Sequence, residues 1–131
     1  MTIGQLLFYC VLAAIMFFML RPLIFGGPRI TPTAAAAQIA DGTAVLIDVR
    51  EPSEWASGAA APAALLPLGD LQGERREWRP FLEKNKDKLL ILYCASGMRS
   101  GVAAGTLKKE GYRVANLGGF SRWRSAGLPV K

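Results

Sequence analysis

Leu89-Leu90-Ile91-Leu92-Tyr93, running straight into Cys94-Ala95-Ser96-Gly97-Met98-Arg99-Ser100, is the stretch that decides the fold. An uninterrupted apolar run of this length fits a strand covered on both faces, and the residues from Ser100 to Lys109 follow it as a helix. A thiol at that junction faces backbone N–H groups and the positive end of the helix. Both favour thiolate over thiol and can hold an anion beside it. A lone cysteine after a strand also fits a small buried hydrophobe. Gly97, Arg99 and the helix that follows shift the reading to a nucleophile.

The chain contains no histidine. That excludes a Cys-His dyad, a Ser-His-Asp triad and the ordinary histidine-containing zinc sites. Cys94 must then be activated by backbone amides, the helix dipole and nearby arginine. No metal and no cofactor are expected.

The same pattern extends along the chain. Thr31-Pro32-Thr33 ahead of Ala34 to Ala40 predicts a capped short helix that Asp41-Gly42 ends. Ala44 to Val49 is a buried strand, Ser53 to Ser57 a helical turn, and Leu65-Leu66-Pro67-Leu68 an edge strand, because proline cannot serve a central ladder. Leu71 to Lys86 reads as helix with faults at Gly73 and Pro80. Tyr112 to Leu117 is a strand, Gly118-Gly119 a turn, and Phe120 to Ser125 a final helix. Strands alternating with helices predict an α/β sandwich with a mainly parallel sheet.

The N-terminal run is a separate matter. Ile3 to Leu20 carries no charge and, at ~1.5 Å per residue, reaches ~27 Å, close to the ~30 Å of a bilayer's hydrocarbon. The division expected is a transmembrane helix over residues 1–22, a linker over 23–30 and a soluble domain over 31–131. A cleaved secretory signal is the competing reading, with Ala34 to Ala37 as small-residue sites. No Lys or Arg precedes the run, however, and those alanines lie beyond Arg21, Pro22 and Arg29. Arg21 and Arg29 follow the run, so the positive-inside rule leaves the soluble part in the cytoplasm, on a single-pass inner-membrane protein. Cys10, inside the run, and Cys94 offer no disulfide, which suits a reducing compartment. The net charge of +6 does not mark a nucleic-acid binder, because Arg75, Arg76, Arg79, Lys84, Lys86 and Lys88 are interleaved with Glu74, Glu77, Glu83 and Asp87.

From about Ile30 to Val130 the chain resembles a single-domain rhodanese, a sulfurtransferase. The resemblance rests on Leu46-Ile47-Asp48-Val49-Arg50-Glu51-Pro52 with Glu54-Trp55, on the loop Cys94 to Ser100, on Gly111-Tyr112-Arg113-Val114 running to Leu117-Gly118-Gly119-Phe120, and on Trp123 with Ala126-Gly127-Leu128-Pro129-Val130. It implies a three-layer sandwich and a double-displacement reaction. Cys94 would take the outer sulfur of thiosulfate or a similar small anionic donor, hold it as a persulfide, and pass it to cyanide, a thiol or a sulfur-carrier protein. The backbone N–H groups of Ala95, Ser96, Gly97, Met98, Arg99 and Ser100 would stabilise the persulfide anion. Arg99 would bind the donor or pair with Asp48, and Asp48 and Arg50 would support the loop. One segment departs from the family: Gly58-Ala59-Ala60-Ala61-Pro62-Ala63 stands where Gly-His-Ile-Pro-Gly-Ala is common.

Phosphatases of the same fold carry one more residue between cysteine and arginine than separates Cys94 from Arg99, and the shorter loop suits a sulfur atom better than a phosphate group. The remaining alternative is a membrane-tethered, non-catalytic module that uses the fold to bind a partner. Its degenerate members usually lose the cysteine that this chain keeps.

Overall fold

The chain runs α1 (Ile3–Phe25), α2 (Pro32–Ala40), β1 (Ala44–Asp48), α3 (Pro52–Trp55), β2 (Ala63–Leu65), α4 (Leu68–Gln72), α5 (Trp78–Lys84), β3 (Leu89–Cys94), α6 (Met98–Lys109), β4 (Val114–Gly119) and α7 (Phe120–Ser125). These are the elements of a computed structural model that describes residues 1–25 and 27–131. The strands pair in parallel in the order β2-β1-β3-β4, so β3 lies inside the sheet.

A parallel sheet must be covered on both faces, and the alternation of side chains divides the core accordingly. On one face Leu71, Trp78, Leu82, Ala103, Ala104 and Leu107 pack against Ile47, Leu90 and Leu92. On the other, Ala35, Phe120 and Trp123 pack against Leu46, Ile91, Tyr93 and Leu117. Each fully buried Leu or Ile contributes ~1.5–3 kcal/mol of burial, which is why the apolar runs occupy the sheet's centre. The result is the expected three-layer rhodanese-like sandwich.

Local chemistry moves several boundaries. The stretch read as one helix from Leu71 to Lys86 is two, because the Asp70 carboxylate accepts the N–H groups of Arg76, Glu77 and Trp78 at 2.9, 3.0 and 3.2 Å and starts a new helix there. Arg75, just before, takes a left-handed φ of 57°. Pro80 is no fault at all: it lies in the first turn of α5, where its missing N–H is not needed. The edge strand forms at Ala63–Leu65 rather than Leu65 to Leu68, although Leu66 and Leu68 still donate to the Asp48 and Val49 carbonyls at 3.0 and 3.1 Å. Gly118 and Gly119 continue β4 instead of turning, beyond a register shift that leaves Leu117 out of the pairing with β3.

Ile3–Leu20 is long and apolar enough to cross a membrane, with a mean hydropathy of 2.3 and none of the window buried. The helix runs three residues past the expected end, to Phe25. In the segment read as a linker, Gly26 lies outside the described residues. The end of that segment is docked: Asn116 donates to the Pro28 carbonyl at 2.8 Å and Ile30 donates to the Asn116 carbonyl at 3.2 Å. Arg29 thereby bridges Asn116 in parallel and extends the sheet's edge.

Candidate active site

Cys94 ends the central strand on the same face as Leu90 and Leu92, so its sulfur points toward the start of α6. The residue is 0% exposed, whereas Ala95, Ser96 and Met98 are exposed. The thiol therefore lies beneath the loop and not on it. Its Sγ accepts the Gly97 N–H at 3.0 Å and faces the Ser100 hydroxyl at 3.5 Å.

Two glycines allow the loop to take this shape. Gly97 has φ 95°, a left-handed backbone that closes the turn into α6. Gly119 permits contact between β4 and the loop: a Cβ there would lie 2.6 Å from the Ala95 carbonyl oxygen.

Asn116, which sequence reasoning missed, locks the other side. It is buried on the α6 face of β4; its Oδ1 accepts the Ser100 hydroxyl at 2.8 Å and the Gly118 N–H at 3.0 Å, and its Nδ2 donates to the Gly97 carbonyl at 3.1 Å. The available signal was a lone amide in an otherwise apolar strand, since buried polar groups require partners. Burial is the largest influence on the thiol and pushes its pKa up. The Ser100 hydroxyl and the N–H groups of Ser100, Ser96 and Gly97 together outweigh it and hold Cys94 below the ordinary cysteine value.

The charged residues pair differently from the expected pairing of Arg99 with Asp48. Its terminal nitrogens Nη1 and Nη2 donate to the two Glu54 oxygens at 2.6 and 2.9 Å. That pairing holds the Glu54 carboxyl down to about 2 and raises the guanidinium. Asp48 belongs instead to Arg50, with Nη2 to Oδ2 at 2.8 Å in a pair that is almost wholly buried. Burial opposes the Arg50 charge, and the bonds to Asp48 outweigh it and raise the pKa. Arg50 also donates to the Gly58 carbonyl at 2.7 Å and lies 4.7 Å from the centre of the Phe120 ring. Ala60 donates to the Tyr93 hydroxyl at 2.9 Å. The segment that departs from the family pattern is thus tied to β1 and β3 by backbone groups that alanine supplies as well as histidine would.

A buried, hydrogen-bonded thiol of lowered pKa at the carboxyl end of a parallel sheet can act as a nucleophile, and parallel sheets bind ligands at the point where the strand order reverses, here between β1 and β3. Among the described residues no group of His, Cys, Asp and Glu side chains could hold a metal ion.

Known proteins share this architecture. Residues 31–126 match the rhodanese-like domain. The uncharacterized protein YqhL of Bacillus subtilis is 37% identical over 86% of this chain and 87% of its own. A sulfurtransferase of Allochromatium vinosum is 38% identical over 66% of this chain and 77% of its own. The crystal structure of a rhodanese-related protein from Thermoplasma volcanium superposes with a TM-score of 0.66 at 30% identity, over 79% of this chain and 97% of that one. Sequence, sheet order and relatives agree, and the chain belongs to the rhodanese-like domain family.

Proposed function

We propose that the protein is a thiosulfate-type sulfurtransferase working through a persulfide on Cys94. The observation that carries this reading is the hydrogen-bonded cradle around Sγ: the Gly97 N–H at 3.0 Å and the Ser100 hydroxyl at 3.5 Å, backed by Asn116. The Cys94 thiolate attacks the outer sulfur of thiosulfate, the sulfur–sulfur bond breaks, and its electron pair leaves with sulfite. An acceptor thiolate or cyanide then attacks the outer sulfur of the persulfide, and the pair returns to Cys94. No oxidant or reductant is consumed. The loop amides, already aimed at sulfur, stabilise the anion in each half-reaction at no cost of reorganisation.

Arg99 is a positioning residue in this scheme. With both terminal nitrogens on Glu54 it ties α3 to the loop and keeps positive charge beside the thiolate, and the donor's anion is met mainly by backbone N–H groups. Asp48 and Arg50 hold the floor of the site through their buried pair.

The test is thiosulfate:cyanide transfer by the purified protein and by Cys94→Ser. Loss of all transfer with an unchanged circular dichroism spectrum is expected, since a hydroxyl neither ionises readily nor carries a persulfide. Transfer by the serine variant at a substantial fraction of the wild-type rate overturns the assignment.

We further propose that α1 anchors the protein in the inner membrane as a single pass with the domain in the cytoplasm. Its unburied apolar window and the position of Arg21 and Arg29 after it support this orientation. In that compartment a small anionic donor would meet thiol acceptors or a sulfur-carrier protein.

A further inference from the structure

Cys94 is fully buried, whereas Arg99 and Glu54 keep 35% and 31% of their side chains open to solvent. The guanidinium is nonetheless within electrostatic reach of sulfur. Its pKa is raised first by the bonds to Glu54, against burial, and then by the charges of Glu54 and of the Cys94 thiolate. A reactant bound for the thiolate therefore enters the field of this pair.

The planar fork of an arginine takes a carboxylate or another oxyanion through two parallel hydrogen bonds. Here both terminal nitrogens of Arg99 are already used in that way, on the two Glu54 oxygens at 2.6 and 2.9 Å. The carboxylate is itself fixed, because the Glu51 backbone N–H donates to its Oε1 at 3.1 Å. The bonds from Arg99 hold the Glu54 carboxyl down to about 2, so it is charged at every pH at which Cys94 is a thiolate. Arg50, the other arginine on this side of the loop, is matched in the same manner by Asp48. The anion position that Arg99 could offer is thus filled by a carboxylate of the chain itself.

A tie between α3 and the loop does not by itself require charge, and an ion pair this exposed adds little to stability. Its effect on a charged reactant is larger. One uncompensated charge ~6 Å from an approaching anion, at an effective dielectric constant of ~40, changes the encounter about tenfold.

We propose that Glu54 sets the charge selectivity of the Cys94 site: by neutralising Arg99 it holds back anionic reactants that a bare guanidinium would draw in. The proposal deepens the Cys94 persulfide reading and rests on it. In that reaction the reactant that meets the free thiolate is the sulfur donor, and the leaving group is sulfite, also an anion. With Arg99 neutralised, thiosulfate is bound less tightly and sulfite is released more readily than an unpaired arginine would allow. Glu54 acts through Arg99 and is a positioning residue.

The experiment uses the full chain in detergent and measures alkylation of Cys94, localised by peptide mass so that Cys10 does not contribute, with anionic iodoacetate and neutral iodoacetamide. The ratio of the two rates cancels changes in thiol pKa and in access. Relative to wild type, Glu54→Gln is expected to raise the iodoacetate-to-iodoacetamide ratio ~10-fold and Arg99→Gln to lower it ~10-fold, and both shifts should shrink as salt is added. The double variant Glu54→Gln/Arg99→Gln restores neutrality, and its ratio should return to within about 2-fold of wild type. A purely structural tie predicts no movement of the ratio in either single variant. A ratio that stays within about 2-fold in both single variants, moves the same way in both, or is not restored in the double variant overturns the filter. So does a Cys94 that neither reagent alkylates. In transfer assays Glu54→Gln should lower KM for thiosulfate ~10-fold at low salt, and a KM that does not fall overturns the filter as it applies to the donor. Failure of the wild type to transfer sulfur from thiosulfate to cyanide overturns the persulfide reading instead, and the alkylation ratios still decide the role of Glu54.

Discussion

Burial by itself would keep Cys94 protonated, and what reverses that is the Ser100 hydroxyl and the N–H groups of Ser100, Ser96 and Gly97 around sulfur, on a loop that Asn116 holds by accepting from the Ser100 hydroxyl and donating to the Gly97 carbonyl. Asn116→Ala removes the acceptor that orients the Ser100 hydroxyl and the donor that holds the Gly97 carbonyl. The thiol pKa should then rise as the loop that aims the Gly97 N–H at sulfur loosens. The sign follows from the direction of the wild-type shift. A lowered pKa populates thiolate from a lower pH upward, so the rising limb of alkylation by iodoacetamide should move to higher pH in the variant, with a slower rate near neutrality. An unmoved limb would remove Asn116 from the account. The thiol and its loop were legible in the sequence because the nucleophile, the glycine and the helix start are contiguous. Asn116 was not, since Ser100 and Gly97, the partners through which it meets the loop, are 16 and 19 residues away, and the pairing of Arg99 with Glu54 spans 45. Ion pairs of that separation depend on how α3 packs, which no local pattern encodes.

At the level of elements, the contact between β4 and the loop after β3 gives the site its shape. Gly119→Ala places a methyl group 2.6 Å from the Ala95 carbonyl oxygen, and one backbone must move. A cost of ~1–3 kcal/mol is expected, together with loss of most transfer activity as the loop shifts off Sγ. Gly111→Ala is the control: its φ of 97° makes the substitution strained, but nothing lies within 4 Å of the new Cβ. It should lower the melting temperature while kcat/KM stays near wild type. A Gly119→Ala variant of full activity would show that the contact has no part in holding the loop. Sequence reading found β3, α6 and α7 closely because apolar runs and stop signals define them locally. It turned the chain at Gly118-Gly119 because paired glycines usually mark turns, whereas here they serve close approach of two backbones. It fused α4 and α5 because the capping of α5 by Asp70 comes from outside the helix it starts.

The whole molecule joins a parallel sandwich to an apolar helix, and both were readable from composition and period alone: unbroken apolar strands require helices on each face, and Ile3–Leu20 has the length of a bilayer span. The docking of Pro28 to Ile30 along β4 was not, because a Pro/Gly-rich segment carries no pairing signal. The proposed orientation predicts that an epitope appended after Lys131 resists protease in sealed spheroplasts and is lost once they are permeabilised; digestion in the sealed state would place the domain on the other side. The central claim is nearer the chemistry, and it is tested most directly by intact mass analysis of the purified protein after thiosulfate treatment. The account predicts a gain of one sulfur atom, removed by cyanide or dithiothreitol and absent from Cys94→Ser. A wild-type mass unchanged by thiosulfate, or the same gain in the serine variant, would contradict it.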